Sequence, residues 1–143
     1  MEYIHIDRCM NLGSIKISIG SLKKLFFRSC DMLDEFKLDT PNLRIFKYYG
    51  NLVPFSSNAL ALSETTLSFS SDNSDNQWYG KLIELLSTFN HCPTVLNIEY
   101  DPEVCFLSFQ IFLSKIFYLA LKVLTHFSCE KKKNSSWRLW LYQ

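Results

Sequence analysis

Five cysteines, three histidines and two pairs of neighbouring acids are the residues here whose types could do chemistry. The cysteines are Cys9, Cys30, Cys92, Cys105 and Cys129. A structural zinc or a dithiol redox centre needs clustered thiolates. No two of these form a C-x-x-C pair, and their number is odd. The spacing fits reduced, buried thiols in a reducing compartment. His5, His91 and His126 have no metal-ligand spacing. Asp34-Glu35 and Asp72/Asp75 read as surface or turn residues and not as an acid–base pair. There is no Gly-rich phosphate loop and no G-x-S-x-G. The sequence therefore reads as a non-enzyme with no metal and no cofactor, whose function lies in a surface.

Composition supports that direction. The chain of 143 residues is the size of one small domain, and 48% hydrophobic residues supply a core. Twelve Phe and seven Tyr make that core aromatic, while four Gly and four Pro argue against disorder. A net charge of +1 gives no global field toward nucleic acid. The N-terminal Met1-Glu2-Tyr3-Ile4-His5 reads without a signal peptide, so the expected location is cytoplasmic or nuclear.

The elements that would build the surface come from a repeat. Shifted by 21 residues, Ile4 falls on Leu25, Ile6 on Phe27, Cys9 on Cys30, Leu12 on Leu33, Ile15 on Phe36 and Ile17 on Leu38. A second shift carries Leu22 to Leu43, Leu25 to Phe46, Phe27 to Tyr48 and Cys30 to Asn51. The column Cys9/Cys30/Asn51 completes an L-x-x-L-x-L-x-x-N/C pattern, the signature of leucine-rich repeats. Its best copy is Leu22-x-x-Leu25-x-Phe27-x-x-Cys30. Residues i and i+2 of a strand share a face, so strands are expected near 4–7, 25–28 and 46–49. A buried Cys or Asn is expected in the following turn. The half-period copies Leu12-x-x-Ile15-x-Ile17 and Leu33-x-x-Phe36-x-Leu38 predict extended segments, not helices, on the opposite side. Asp39-Thr40-Pro41-Asn42 reads as a turn.

After Asn51 the register is lost. Residues 51–58 read as a loop, Leu60-x-Leu62 and Leu67-x-Phe69 as two further strands, and Ser70 to Gln77 as a polar loop. Trp78 to Phe89 has helical periodicity, with Trp78, Leu82, Leu85, Leu86 and Phe89 on one face. Val95 to Tyr100 reads as a strand.

Two phrases, Ser21-Leu22-Lys23-Lys24-Leu25-Phe26-Phe27-Arg28-Ser29-Cys30 and Leu38-Asp39-Thr40-Pro41-Asn42-Leu43-Arg44-Ile45-Phe46-Lys47-Tyr48-Tyr49-Gly50, resemble plant F-box proteins with leucine-rich repeats, often of the FBD-associated type. Lys81 to Leu86 and Val95 to Ile98 are similar too, so the resemblance covers roughly residues 1–100. It implies an α/β, β-rich leucine-rich-repeat solenoid fragment with parallel strands and a few helices toward the C-terminus. It implies the substrate-recognition arm of an SCF-type ubiquitin ligase, whose partner is a protein substrate. The F-box that would dock a Skp1-type adaptor is not expected in this chain, which starts inside the repeats, so no binding to that adaptor is expected.

The last third differs. Residues 1–100 carry a net charge of −2 and residues 101–143 a net of +3. The division is a repeat region over 1–100, then an atypical apolar helix and basic tail over 101–143. Val104 to Leu124 is about long enough to span a membrane, but contains Lys115 and Lys122. Three readings stand: a helix capping the last coil, a stretch foreign to the fold, or a membrane span. They keep two other functions open, a truncated remnant or gene-model fragment without independent activity and a membrane-anchored interaction module. Trp137 to Leu141 alternates as a strand would, or is a frayed tail. The first coil has an apolar edge, which predicts poor solubility or self-association through it.

With Ile4/Ile6, Leu25/Phe27 and Phe46/Tyr48 pointing inward, the alternate residues form the exposed face. These are Tyr3, His5 and Asp7, then Lys24, Phe26 and Arg28, then Ile45, Lys47 and Tyr49. They form a three-by-three grid with Phe26 at its centre, expected to bind protein. Phe26 covered by the chain's own tail is the other reading.

Overall fold

The computed structural model describes residues 2–28, 32–71, 76–89, 91–100, 126–132 and 136–142. The elements in chain order are β1 (Tyr3–Asp7), β2 (Ser14–Ser18), β3 (Lys24–Arg28), β4 (Glu35–Asp39), β5 (Ile45–Gly50), β6 (Phe55–Ser57), β7 (Glu64–Ser71), α1 (Asn76–Thr88), β8 (Thr94–Tyr100), β9 (His126–Lys132) and β10 (Ser136–Tyr142). Odd and even strands of the first half separate into two sheets. The larger has the order β1-β3-β5-β7-β8-β10-β9, and the smaller β2-β4-β6. From β1 to β8 every pairing is parallel, so the chain winds as a β-rich solenoid of about three turns with one helix. Ile6 pairs with Phe27 and Phe27 with Tyr48, the register that the 21-residue offset predicts.

The core lies between the two sheets. Leu25, Phe27, Phe46, Tyr48, Leu67, Phe69 and Leu96 enter it from the larger sheet, and Ile17, Phe36 and Leu38 from the smaller. Ile4 and Ile6 are half-buried, because β1 is an edge strand with a neighbour on one side only. Leu82, Leu85 and Phe89 of α1 and its end are buried, with Trp78 and Leu86 packed against the core. The helix runs where its apolar periodicity placed it, occupying the position that β2, β4 and β6 hold in the earlier coils.

The turns repeat as strictly as the strands. The backbone amides of Lys23 and Lys24 both donate to Glu2 O, those of Arg44 and Ile45 to Lys23 O, and those of Ser63 and Glu64 to Arg44 O. Before each of these strands a tight turn ends on a buried leucine: Leu22 N to Ile19 O, Leu43 N to Thr40 O and Leu62 N to Ala59 O. Leu62 therefore belongs to the Leu22/Leu43 turn column. The expected strand at Leu60-x-Leu62 is absent, because Leu60 and Ala61 are the turn's central residues and Leu60 is 80% exposed.

Two further corrections share one cause. Residues 51–58 hold a strand, β6, and not only a loop. The arc from β3 to β4 runs from Arg28 to Glu35, whereas the arc from β5 to β6 is two residues shorter, so Phe36 pairs with Phe55 and Ile45 with Glu64. A fixed 21-residue offset loses its register there. The same shortening takes Asn51 out of its expected role. It is exposed, and its carbonyl accepts a hydrogen bond from the Tyr48 hydroxyl at 2.7 Å. Cys9 is half-buried, and Cys30 lies outside the described residues. The polar loop is also shorter than expected, since Ser70 and Ser71 pair with Glu99 and Tyr100 of β8, and Asn76 and Gln77 open the helix.

Toward the C-terminus the pairing turns from parallel to antiparallel. β10 pairs antiparallel with both β8 and β9, so Trp137 to Leu141 is a strand. Lys131 and Lys132 of the basic run lie in β9. The apolar stretch Val104 to Leu124 lies outside the described residues, among which no helix is long and apolar enough to cross a membrane.

Candidate protein-binding face

The nine predicted surface residues come together as a grid. Backbone register aligns Tyr3, Lys24 and Ile45 in one row, His5, Phe26 and Lys47 in the next, and Asp7, Arg28 and Tyr49 in the third. Strand alternation forces this: the residues between them are the inward Ile4/Ile6, Leu25/Phe27 and Phe46/Tyr48. Neighbouring strands are about 4.8 Å apart, so side chains in one row touch. Tyr3 is 52% exposed, Tyr49 is exposed, and Phe26, Ile45 and Lys47 are half-buried by their neighbours.

Three rings meet on this face. The Tyr3 and Phe26 centroids lie 5.4 Å apart, His5 and Phe26 6.3 Å, and Tyr3 and His5 6.5 Å. Lys47 Nζ sits 5.5 Å from the Phe26 ring centroid, a cation over a π face. The same ammonium pairs with Glu64 at 3.1 Å. Phe26 is thus held by ring edges on one side and a cation on the other. Asp7, the register partner of Arg28, lies 4.0 Å from Arg8 Nε. At the strand starts Glu2 is ion-paired with Lys23, and the Lys23 hydrogen bond holds its carboxyl below the ordinary range.

Sequence reading missed the continuation of this face. β7 and β8 extend the rows with Glu64, with Thr66 and Val95, and with Ser68 and Asn97. Their signal is the shared alternation, hidden by the shortened coil and by the helix inserted between β7 and β8.

The opposite sheet carries a different array. Ser18, Asp39 and Asn58 form a polar ladder across three coils. Ser18 Oγ donates to Asp39 Oδ2 at 2.8 Å, Asn58 Nδ2 donates to Asp39 Oδ1, and the Thr40 amide donates to Asn58 Oδ1 at 2.9 Å. Asn42 Nδ2 donates to Gly20 O of the preceding coil at 2.7 Å. The Thr40 and Gly20 bonds satisfy turn backbone and the two bonds to Asp39 link side chains of neighbouring coils, so the ladder is structural. Among the described residues no three metal-ligating side chains converge.

Fold and face together define a class: a parallel-stranded solenoid that presents a continuous array of strand side chains on one sheet. No family model matches the sequence, and no solved structure matches it significantly. An F-box protein of Arabidopsis thaliana is 32% identical over 116 aligned residues, 72% of this chain and 25% of the relative. The chain is homologous to part of a plant F-box protein, which bears out the expected likeness to plant F-box proteins. It spans about a quarter of the relative's length.

Proposed function

We propose that this chain is a leucine-rich-repeat protein-binding module and serves as the substrate-recognition arm of an SCF-type ubiquitin ligase. The observation that carries the reading is the register-matched grid of Tyr3, His5, Phe26, Lys47 and their neighbours on an exposed sheet face. Aromatic and Arg side chains clustered in one place are the residue types that dominate protein interfaces. The buried Leu22, Leu25 and Phe27, recurring 21 residues on as Leu43, Phe46 and Tyr48, support the repeat assignment. The homology to an F-box protein supports the ligase context. The role is non-catalytic and needs no cofactor, since the module's work is to hold a protein substrate. The buried thiol of Cys92, which is in no disulfide, fits a cytoplasmic or nuclear location.

The test compares the full chain with Phe26→Ala and Arg28→Glu. Proteins captured from plant extract are identified by mass spectrometry, and melting is followed by circular dichroism. The expected result is a defined set of captured proteins lost in both variants, with melting unchanged. Capture indifferent to both changes, or unfolding by Phe26→Ala, overturns the assignment of this face.

A further inference from the structure

We infer that the face takes an acidic segment of its partner, anchored by an aromatic side chain on the Tyr3–His5–Phe26 cluster. This rests on the face being a protein-binding site, and adds the chemistry of what binds.

Charge decides the matter. Two carboxylates around the cluster are ion-paired, Glu2 with Lys23 and Glu64 with Lys47, and Asp7 has Arg8 at 4.0 Å. Lys24, which starts β3, and Arg44, next to the start of β5, are exposed. Neither has a carboxylate within 4.0 Å among the described residues. Lys24 is the register partner of Ile45, the residue after Arg44, so the two cations stand at adjacent strand starts, with Lys24 one row from Phe26. Three tilted rings alone would suit a cationic ligand. Here Lys47 already stands over Phe26, and Lys24 lies two residues from Phe26 on the same strand face, so a second cation is repelled. A carboxylate is attracted to the same place, and an aromatic residue between carboxylates packs against Tyr3 and His5. A nucleic-acid backbone would also be anionic. Yet the nine grid residues carry three cations, Lys24, Arg28 and Lys47, and Lys47 is paired with Glu64, too few for a run of phosphates.

The experiment selects binders from a random peptide phage library on the immobilised full chain. Selected peptides are then synthesised and titrated by fluorescence anisotropy against the chain, Phe26→Ala and the double variant Lys24→Glu/Arg44→Glu. A fluorescent oligouridine is titrated in parallel. The expected peptides combine an aromatic residue with two or more Asp or Glu. They bind the double variant about tenfold more weakly with unchanged melting, the loss shrinking as salt rises. Neutral or basic peptides that depend on Phe26 overturn the acidic specificity and leave the protein-binding face standing. Peptides indifferent to Phe26→Ala, no enrichment at all, or tighter binding of the oligouridine overturn both.

Discussion

Phe27 and Tyr48 stack across adjacent coils with their ring planes 4° apart and centroids 5.5 Å apart. They are register partners in β3 and β5, so the stack is the 21-residue repeat expressed as packing. Phe36 closes it from the other sheet, edge-on to Phe27 at 4.9 Å and to Tyr48 at 5.8 Å. Phe36 is fully buried and also meets Phe46 and Phe55. Phe36→Ala is expected to cost about 3–5 kcal/mol in urea unfolding, from lost burial and a cavity that the strands cannot collapse. Phe36→Leu should cost less. A loss below about 1 kcal/mol for the alanine variant would show that the sheets do not share this core.

Asn11 and Met32 occupy the same turn position one coil apart, and both have φ at 62°. Asn tolerates this left-handed conformation, whereas for Met it costs about 1–2 kcal/mol. Met32 is 71% exposed, so little packing is lost on replacing it. Met32→Asn is therefore expected to raise stability by about 0.5–1 kcal/mol in denaturant titration. A destabilised variant would reveal a contact of the thioether that outweighs the strain.

Asp39 is held below its ordinary pKa of 3.8 by hydrogen bonds from Ser18 first and Asn58 second. As pH falls, the unfolded chain takes the proton before the folded one does. The ladder's contribution is complete above about pH 3.8 and is lost as pH drops through the lower folded value. The Tm difference between the chain and Asp39→Asn should be constant near neutrality and shrink in that acid window. A pH-independent difference would remove Asp39 as the titrating group.

Cys92 Sγ lies 3.1 Å from Thr65 Oγ1 and 3.6 Å from Phe89 O. Burial pushes its thiol above the ordinary 9.0, against smaller opposing effects of hydrogen bonds with Thr65 and Thr94. At pH near 8 the thiol stays neutral and unreactive, while half-buried Cys9 is more accessible. Thiol labelling mapped by peptide mass should modify Cys9 before Cys92 in the native chain. As pH rises through 9.0 the unfolded thiol ionises first, so stability should fall above it. Fast native labelling of Cys92 would show that the turn before β8 opens readily.

The first two coils were legible because their inward residues keep one spacing. Ile6, Phe27 and Tyr48 share a column, and so do Ile15 with Phe36 and Ile17 with Leu38. The grid was legible for the same reason, since alternation along a strand assigns every second residue outward once the first is placed. The helix was legible in its 3.6-residue periodicity. Phe55, Leu62 and Glu64 were not, because a two-residue deletion in a turn leaves the local pattern intact while moving its partners.

Amino-acid order alone determined which face each side chain takes within a strand, since period-two alternation is local and needs no partner. Only tertiary structure decided which strands meet and what the face can do. Lys47 reaches Phe26 in the preceding coil and Glu64 in the following one. Asp39 is bonded from both neighbouring coils. These contacts join residues about twenty positions apart, and their pairing depends on the length of each intervening turn. A turn's length is set by how its backbone closes on the coil beneath, and no single-strand pattern records that.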